Sequence, residues 1–282
     1  MQKVCMLICT FGFLVLRCAV TEKASVGMNV SGIHRVSGYI GSLAPSTPPP
    51  PRVRYPQVVT SYDALNISLS ALKASYNDNR DAFLPMKALF ESSIFNEFEV
   101  DFDGDAKDDV YASLRYEVSY VTNLKTVIKT LTSYVDQFSR NCALSLLYRL
   151  RASAMYIREI IDENEGILNK VNLNLLQHSN NLKALNSLKS YLDEMLRLRN
   201  IVIDMAKGML EMAVKVVGDN ANIQLALEPI TSAQGKLKEI INSGMKLSLR
   251  DLRTKIESTV DSLRLQVLRG NGSIFFNICT FR

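Results

Sequence analysis

Residues 182–217 read LKALNSLKSYLDEMLRLRNIVIDMAKGMLEMAVKVV, and this stretch decides the fold. Its apolar residues recur at steps of three and four, the spacing that places side chains on one face of an α-helix. The seam consists of Leu185, Leu188, Leu192, Met195, Val202, Ala206, Met209, Ala213 and Val216. Further apolar residues widen it: Leu182, Leu196, Ile203, Leu210 and Val217. Because a wide apolar face packs against several neighbours, the pattern favours a folded-back bundle over an extended coiled coil.

Similar stripes run along most of the chain after Val58. They predict helices over about 61–77, from Pro85, from about 108 to 142, over 147–175 with a break at 162–166, from Pro229 to about 242, and over 249–267. The stripe from Leu114 to Cys142 is interpreted as one heptad seam that includes Val135 and Phe138. Gly218 and Gly270 are typical of helix ends. The sequence therefore predicts an all-α fold, a multi-helix bundle over residues 58–270.

The composition narrows the classes of function. The chain has 282 residues, is 47% hydrophobic and 22% charged, and carries a net charge of +5. These values exclude a wholly disordered chain, a collagen-like chain and a multi-spanning membrane protein. Its only histidines are His34 and His178, and it contains no nucleophile elbow, phosphate-binding loop, HExxH, dinucleotide fingerprint or cysteine zinc pattern. We expect no catalytic activity and no catalytic, cofactor-binding or metal-binding residues.

The N-terminus is typical of a targeting segment. Lys3 precedes an apolar run over residues 4–16, which is too short to span a bilayer as a helix. Small residues follow, and the preferred cleavage point is after Thr21. The pattern predicts a signal peptide over residues 1–21; a buried N-terminal helix or an uncleaved anchor is the alternative.

Residues 22–57 contain six of the eight prolines together with several glycines. Consecutive prolines favour an extended polyproline II conformation, so we expect a disordered Gly/Pro-rich stalk that acts as a spacer. A recognition peptide for a proline-binding groove is the alternative. After removal of residues 1–21 only Cys142 and Cys279 remain, and the sequence leaves open whether they form a disulfide or stay free.

The sharpest local motif is DFDGDAKDDV at residues 101–110. Alternating carboxylates at Asp101, Asp103, Asp105 and Asp109 locally resemble the calcium loops of integrin-type propeller repeats and, less closely, EF-hands, which implies a calcium site. The motif departs from that pattern at Ala106, where the turn calls for glycine. The interpretation favoured over a calcium site is an acidic segment whose carboxylates stabilise a helix N-terminus.

Four further features bear on binding. Residues 111–282 carry 23 basic against 16 acidic side chains, which suggests either an anionic partner or a solvated mixed surface. Arg199 interrupts the seam of the 182–217 helix, where we expect its stem to lie on the core and its head to remain in water, with an anion-binding role as the alternative. His178 is expected to be exposed in a polar connection. Residues 271–282 form a short apolar tail that we expect to pack on the bundle.

Together these features predict a secreted or cell-surface-associated helical interaction protein that binds an extracellular protein partner through helix faces. A lipid-binding amphipathic protein and a calcium-stabilised structural module are the alternatives. A membrane surface and self-association remain open, whereas no nucleic-acid motif is present and no nucleic-acid partner is expected.

Overall fold

The structure, a computed structural model, describes residues 60–242 and 247–278, with side chains to residue 267. Its helices are α1 (Ser61–Tyr76), α2 (Arg80–Phe83), α3 (Lys87–Ile94), α4 (Gly104–Ala112), α5 (Val118–Ser133), α6 (Gln137–Ile161), α7 (Lys170–Gln177), α8 (Leu182–Lys215), α9 (Asn220–Thr231), α10 (Lys236–Asn242) and α11 (Leu249–Ile278). No strand occurs in this part of the chain, which confirms the all-α multi-helix bundle. The predicted signal peptide and the predicted stalk lie outside the described residues.

Helix α8 is the centre of the bundle and packs against α1, α5, α9 and α11. It begins after Asn181, whose side chain accepts a hydrogen bond from the backbone N–H of Ala184 at 3.0 Å. It ends at Lys215, shortly before Gly218, which adopts a φ of +109° that favours glycine. The predicted long helix and its stop are therefore confirmed.

The predicted continuous seam from Leu114 to Cys142 is wrong. The chain breaks twice, after α4, where Arg115 and Tyr116 have left-handed φ values of 57° and 53°, and again between α5 and α6. Val135 lies in the second break and is fully exposed, and Phe138 in the first turn of α6 is 70% exposed. A heptad count cannot register such corners, because the spacing survives by coincidence across residues that are not helical.

Two other predicted boundaries also differ. Pro229 lies inside α9 instead of opening a helix, near its C-terminal end, where few backbone hydrogen bonds are lost. Helix α11 runs through Gly270 to Ile278, so residues 271–278 belong to a helix and not to a separate tail. Gly270 alone does not terminate a helix that its flanking residues extend.

Residues 79–116 form a flank around an aromatic cluster. The Phe83 ring lies 4.8 Å from that of Tyr111 and 5.6 Å from that of Phe90, and Phe95 lies 5.4 Å from Phe102. These side chains are buried, and α4 packs on α6. Aromatic packing thus orders the flank internally, and α4 attaches it to the bundle through α6.

Helix α6 buries one face and leaves another facing away from the core. The core face includes Ala143, Leu147, Leu150, Ala154 and Ile157, all with no exposed surface. The opposite face carries Asn141, Ser145, Tyr148, Arg149 and Ala152 at helical spacing. The flank packs along one side of α6 and α9 along the other, so this outward face lies between two walls.

Candidate functional site

The outward face of α6 forms the floor of a groove. On one side it shares a cavity of about 330 Å³ with α9, lined by Phe138, Asn141, Cys142 and Ser145 from α6 and by Gln224, Glu228, Thr231 and Ser232. Phe138 lies at the end of the groove with 70% of its surface exposed. An exposed phenylalanine beside a concave surface is typical of a protein-binding site.

The segment 96–103 makes the second wall. The Tyr148 hydroxyl donates to Asp101 Oδ1 at 2.8 Å, and the rings of Tyr148 and Phe102 lie 5.3 Å apart. Nearer the start of α6, Arg140 donates to the carbonyl of Glu97 at 3.3 Å. The outward face of α6 from Phe138 to Ala152, together with segment 96–103 and the facing side of α9, is called the α6 groove below.

Sequence reasoning assigned Phe138 to the core and so missed this surface. A signal for the corner is present, because Asp136 caps α6: its side chain accepts from the Ser139 N–H at 2.8 Å and from the Ser139 hydroxyl at 2.6 Å. Asn220, at the start of α9, also donates to Asp136 at 3.3 Å. An Asp-x-x-Ser cap ahead of an apolar run indicates a new helix start, which would have placed Phe138 in an exposed first turn.

The carboxylates of the acidic motif bind different partners instead of converging on one point. Asp103 caps α4 by accepting from the Ala106 N–H at 2.9 Å. Asp105 pairs with Arg158 at 3.1 Å, and Asp101 is bound by Tyr148. Among the described residues no three Asp, Glu, His or Cys side chains are grouped so that they could hold a metal ion. The arrangement agrees with the interpretation of the motif as an acidic helix start.

Asp108 binds two cations at the edge of the flank. Arg80 donates to its Oδ2 at 2.9 Å and Lys87 to its Oδ1 at 3.1 Å. The Tyr116 hydroxyl donates to the same carboxylate at 3.2 Å. Burial, and next the charge of Asp108, raise the pKa of Tyr116. This carboxylate therefore links α2, α3 and the corner after α4.

Asp109 is fully buried and bound from two sides. Arg158 donates from Nε to Oδ1 and from Nη2 to Oδ2, each at 3.0 Å, and the Tyr76 hydroxyl donates to Oδ1 at 2.9 Å. Burial raises the pKa of Asp109, and these hydrogen bonds oppose that rise. Burial also raises the pKa of Tyr76, while bonding to Asp109 raises that of Arg158. The three side chains join α1, α4 and α6.

A polar cleft of about 290 Å³ opens above this cluster. Its lining includes Lys73, Arg80, Asp105, Asp162 and Glu163. Lys73 pairs with Glu163 at 3.4 Å. Cations and carboxylates are mixed in the lining and bind one another, so the cleft has the character of a structural ion-pair network.

The guanidinium of Arg199 is buried, so the expectation that it remains in water is wrong. Only 2% of the residue is exposed, and its guanidinium donates to the Ser75 hydroxyl at 3.1 Å, the Ser75 carbonyl at 2.9 Å and the Ala112 carbonyl at 2.8 Å. It also lies 5.6 Å from the centre of the Tyr76 ring. Burial lowers the pKa of Arg199 to about 10, so the side chain is charged at neutral pH. It holds the C-terminal ends of α1 and α4, where carbonyls lack helical partners.

The remaining predicted residues lie apart from the groove or at its base. His178 is exposed, as expected, at the end of α7, where its Nδ1 lies 2.8 Å from the Asn174 carbonyl oxygen. A cavity of about 610 Å³ beside it is lined mainly by amide side chains such as Asn180, Asn181 and Gln266. Cys142 is buried at the base of the α6 groove, and its proposed partner Cys279 lies outside the described residues. Burial raises the pKa of the Cys142 thiol.

Comparisons with protein-family models, with curated proteins and with solved structures found no match. Across residues 60–242 and 247–278, none of the helices combines the length and the apolar character that crossing a bilayer demands.

Proposed function

We propose that this chain is a secreted or cell-surface-associated interaction protein without catalytic activity, and that it binds a protein partner through the α6 groove. The single observation that supports binding is the exposure of Phe138 at one end of a concave helix face. Large apolar residues that are exposed beside a groove lose water-accessible surface when a partner fills it, and this loss favours association. The signal-peptide pattern of residues 1–21 supports export.

Two observations favour a role in binding over a role in chemistry. The most buried carboxylate in the described part of the chain, Asp109, is held by Arg158 and Tyr76, so its oxygens are engaged in the fold. On its α9 side the α6 groove is lined by an aromatic residue, amides, hydroxyls and a single carboxylate, Glu228. A groove of this composition supplies contact area and hydrogen bonds.

The test uses a fluorescent mature chain, Glu22–Arg282, on a panel of intact cells. We expect saturable binding that is lost when surface proteins are removed by protease. The variant Phe138→Ser should weaken binding at least about tenfold, since a few large aromatic residues supply most of the binding energy of a typical interface. The matched control is Ile67→Ser, which replaces another exposed apolar residue, 64% exposed, on α1.

The same experiment separates the competing functions. Binding that survives protease treatment and is reproduced on protein-free vesicles of phosphatidylcholine and phosphatidylserine would replace this proposal by the lipid-binding alternative. Saturable binding that Phe138→Ser leaves unchanged would move the partner site away from α6. Absence of saturable binding to every cell in the panel would contradict the proposed function itself.

A further inference from the structure

A second concave surface lies beside His178, at the N-terminal end of α8. Its volume of about 610 Å³ falls within the usual size of ligand pockets, ~300–1,000 Å³. Three elements line it: Asn174 and Leu175 of α7, the connection 178–181, and Gln266 and Val267 of α11. Because the lining comes from three elements, its side chains surround a ligand from several directions.

The lining of this cavity is polar and carries no carboxylate, ammonium or guanidinium group. Six of its eight residues bear an amide, a hydroxyl or an imidazole: Asn174, His178, Ser179, Asn180, Asn181 and Gln266. None of the described residues that line it is Asp, Glu, Lys or Arg. A charged ligand would lose water there without gaining an opposite charge, whereas a neutral polar ligand exchanges hydrogen bonds to water for hydrogen bonds to the protein. The lining therefore favours a neutral polar ligand.

Contacts within the lining determine which groups can bind such a ligand. His178 Nδ1 lies 2.8 Å from the Asn174 carbonyl oxygen, which can only accept, so Nδ1 carries the hydrogen and Nε2 of the neutral ring is an acceptor. The Asn181 amide donates to Gln266 Oε1 at 3.1 Å, which leaves Gln266 to act on a ligand as a donor through Nε2. Ser179 Oγ accepts from the Asn181 N–H at 3.2 Å, and its hydroxyl hydrogen is a further donor. The cavity thus presents donors and acceptors side by side.

We infer that this cavity binds a neutral oligosaccharide. Each sugar hydroxyl both donates and accepts, and the hydroxyls of one ring point in different directions, which matches neutral donors and acceptors placed on three elements. Leu175 and Val267 supply apolar contact for the C–H groups of the ring. An extended peptide presents its backbone groups along one edge, as it does when it adds to a sheet, and this arrangement suits it less well.

The cavity and the α6 groove are separate sites, so this inference goes beyond the proposed function. Asn181 caps the start of α8, and Asn220, five residues after the end of α8, binds Asp136 at the start of α6. Helix α8 has 34 residues, which places its two ends about 51 Å apart. A glycan in the cavity would therefore leave the α6 groove free for its own partner.

The test is saturation-transfer difference NMR on the mature chain, Glu22–Arg282. The probes are neutral tri- and tetrasaccharides of hexoses and N-acetylhexosamines, together with the sialylated form of each. We expect at least one neutral probe to bind saturably, and its sialylated form to bind no more tightly, because the lining has no cation to pair with the added carboxylate.

Two matched double variants assign the site. Asn174→Ala with Asn180→Ala removes two amides of exposed residues from the lining, and it should weaken the bound sugar at least about tenfold through lost hydrogen bonds. The control, Asn96→Ala with Asn164→Ala, removes two amides of exposed residues elsewhere and should change the affinity less than twofold. Circular dichroism confirms that all four changes leave the helices intact.

The outcomes separate this site from the α6 groove and from other ligands. Binding of no neutral probe, or equal effects of the two double variants, would overturn the inference. If an acetylated and amidated Gly-Ser hexapeptide binds as tightly and with the same dependence on Asn174 and Asn180, the ligand is peptide backbone and the inference is wrong. Phe138→Ser should leave sugar binding unchanged, so loss of cell binding in that variant supports the proposed function whatever the sugar probes show.

Discussion

Arg199 offers the most direct test of how this bundle is held together. Its guanidinium is a buried charge that binds carbonyl and hydroxyl oxygens rather than a carboxylate. Replacing Arg199 by methionine keeps an unbranched stem of similar length and removes all three hydrogen bonds. The Ala112 carbonyl keeps a bond from the Arg115 N–H at 3.0 Å, so the greater loss falls on Ser75, which supplies both a carbonyl and a hydroxyl.

The expected magnitude follows from these contacts. A buried polar group left without its partner costs about 1–3 kcal/mol, and hydrogen bonds to charged groups lie at the upper end of the usual range. The methionine regains part of this through apolar burial, and the desolvation cost of the guanidinium disappears. We expect Arg199→Met to lower the free energy of unfolding by about 3 kcal/mol. Arg199→Lys should lose nearly as much, because an ammonium lacks the planar fork that reaches two helix ends.

The assay is urea unfolding followed by far-UV circular dichroism, with amide hydrogen exchange at the ends of α1 and α4 as a local readout. The control is Arg197→Met, two residues away on α8, where the arginine is exposed and pairs with Glu194 at 2.6 Å. That change should cost less than about 0.5 kcal/mol. An Arg199→Met chain as stable as the wild type, or more stable, would refute the reasoning, because desolvation would then outweigh the hydrogen bonds.

Three other perturbations test separate parts of the structure. In a double-mutant cycle, Asp109→Asn and Arg158→Met should each lower the free energy of unfolding by about 3 kcal/mol. The double variant should lose less than the sum, because no unpaired buried charge then remains. Additive losses in urea unfolding would contradict the pairing. Leu147→Ala should lower the free energy of unfolding by about 3 kcal/mol and Phe138→Ser by less than about 0.5 kcal/mol. Equal losses would indicate that Phe138 belongs to the core, as the continuous seam predicted. Hydrogen bonds from Ser139 lower the pKa of Asp136 below 3.8, so its stabilising effect is present above that pH and is lost as pH falls through the folded pKa. The gap in melting temperature between wild type and Asp136→Asn should therefore narrow in acid, and a constant gap would contradict this.

Helix periodicity predicted the fold class because burial repeats regularly along α8. All of the seam positions from Leu185 to Met195 are buried, as are Val202, Ala206 and Ala213. The same periodicity failed between α5 and α6, since Val135 and Phe138 keep heptad spacing while the chain turns a corner between them. Spacing reports which side chains would share a face if the backbone were helical; caps such as Asp136 report where the helix begins.

The polar contacts of the core were beyond sequence reasoning for a different reason. Asp109 and Arg158 lie 49 residues apart, and Arg199 lies 124 residues from Ser75. No local pattern relates residues at such separations, because the chain must first fold back on itself to bring them together. The acidic motif could accordingly be interpreted as a calcium loop or as a helix start, and only the positions of Tyr148, Arg158 and the α4 backbone separate those two readings.

Tyr76 connects the two buried polar clusters to the α6 groove. Its ring lies beneath the Arg199 guanidinium, and its hydroxyl donates to Asp109, which in turn is held by Arg158 of α6. The position of α4 relative to α6 is therefore fixed from α1 and α8 at the same time. Segment 96–103 leads directly into α4, so the contacts that order the core also set the distance between that segment and the outward face of α6. In this fold the polar contacts inside the bundle therefore help to position one wall of the α6 groove.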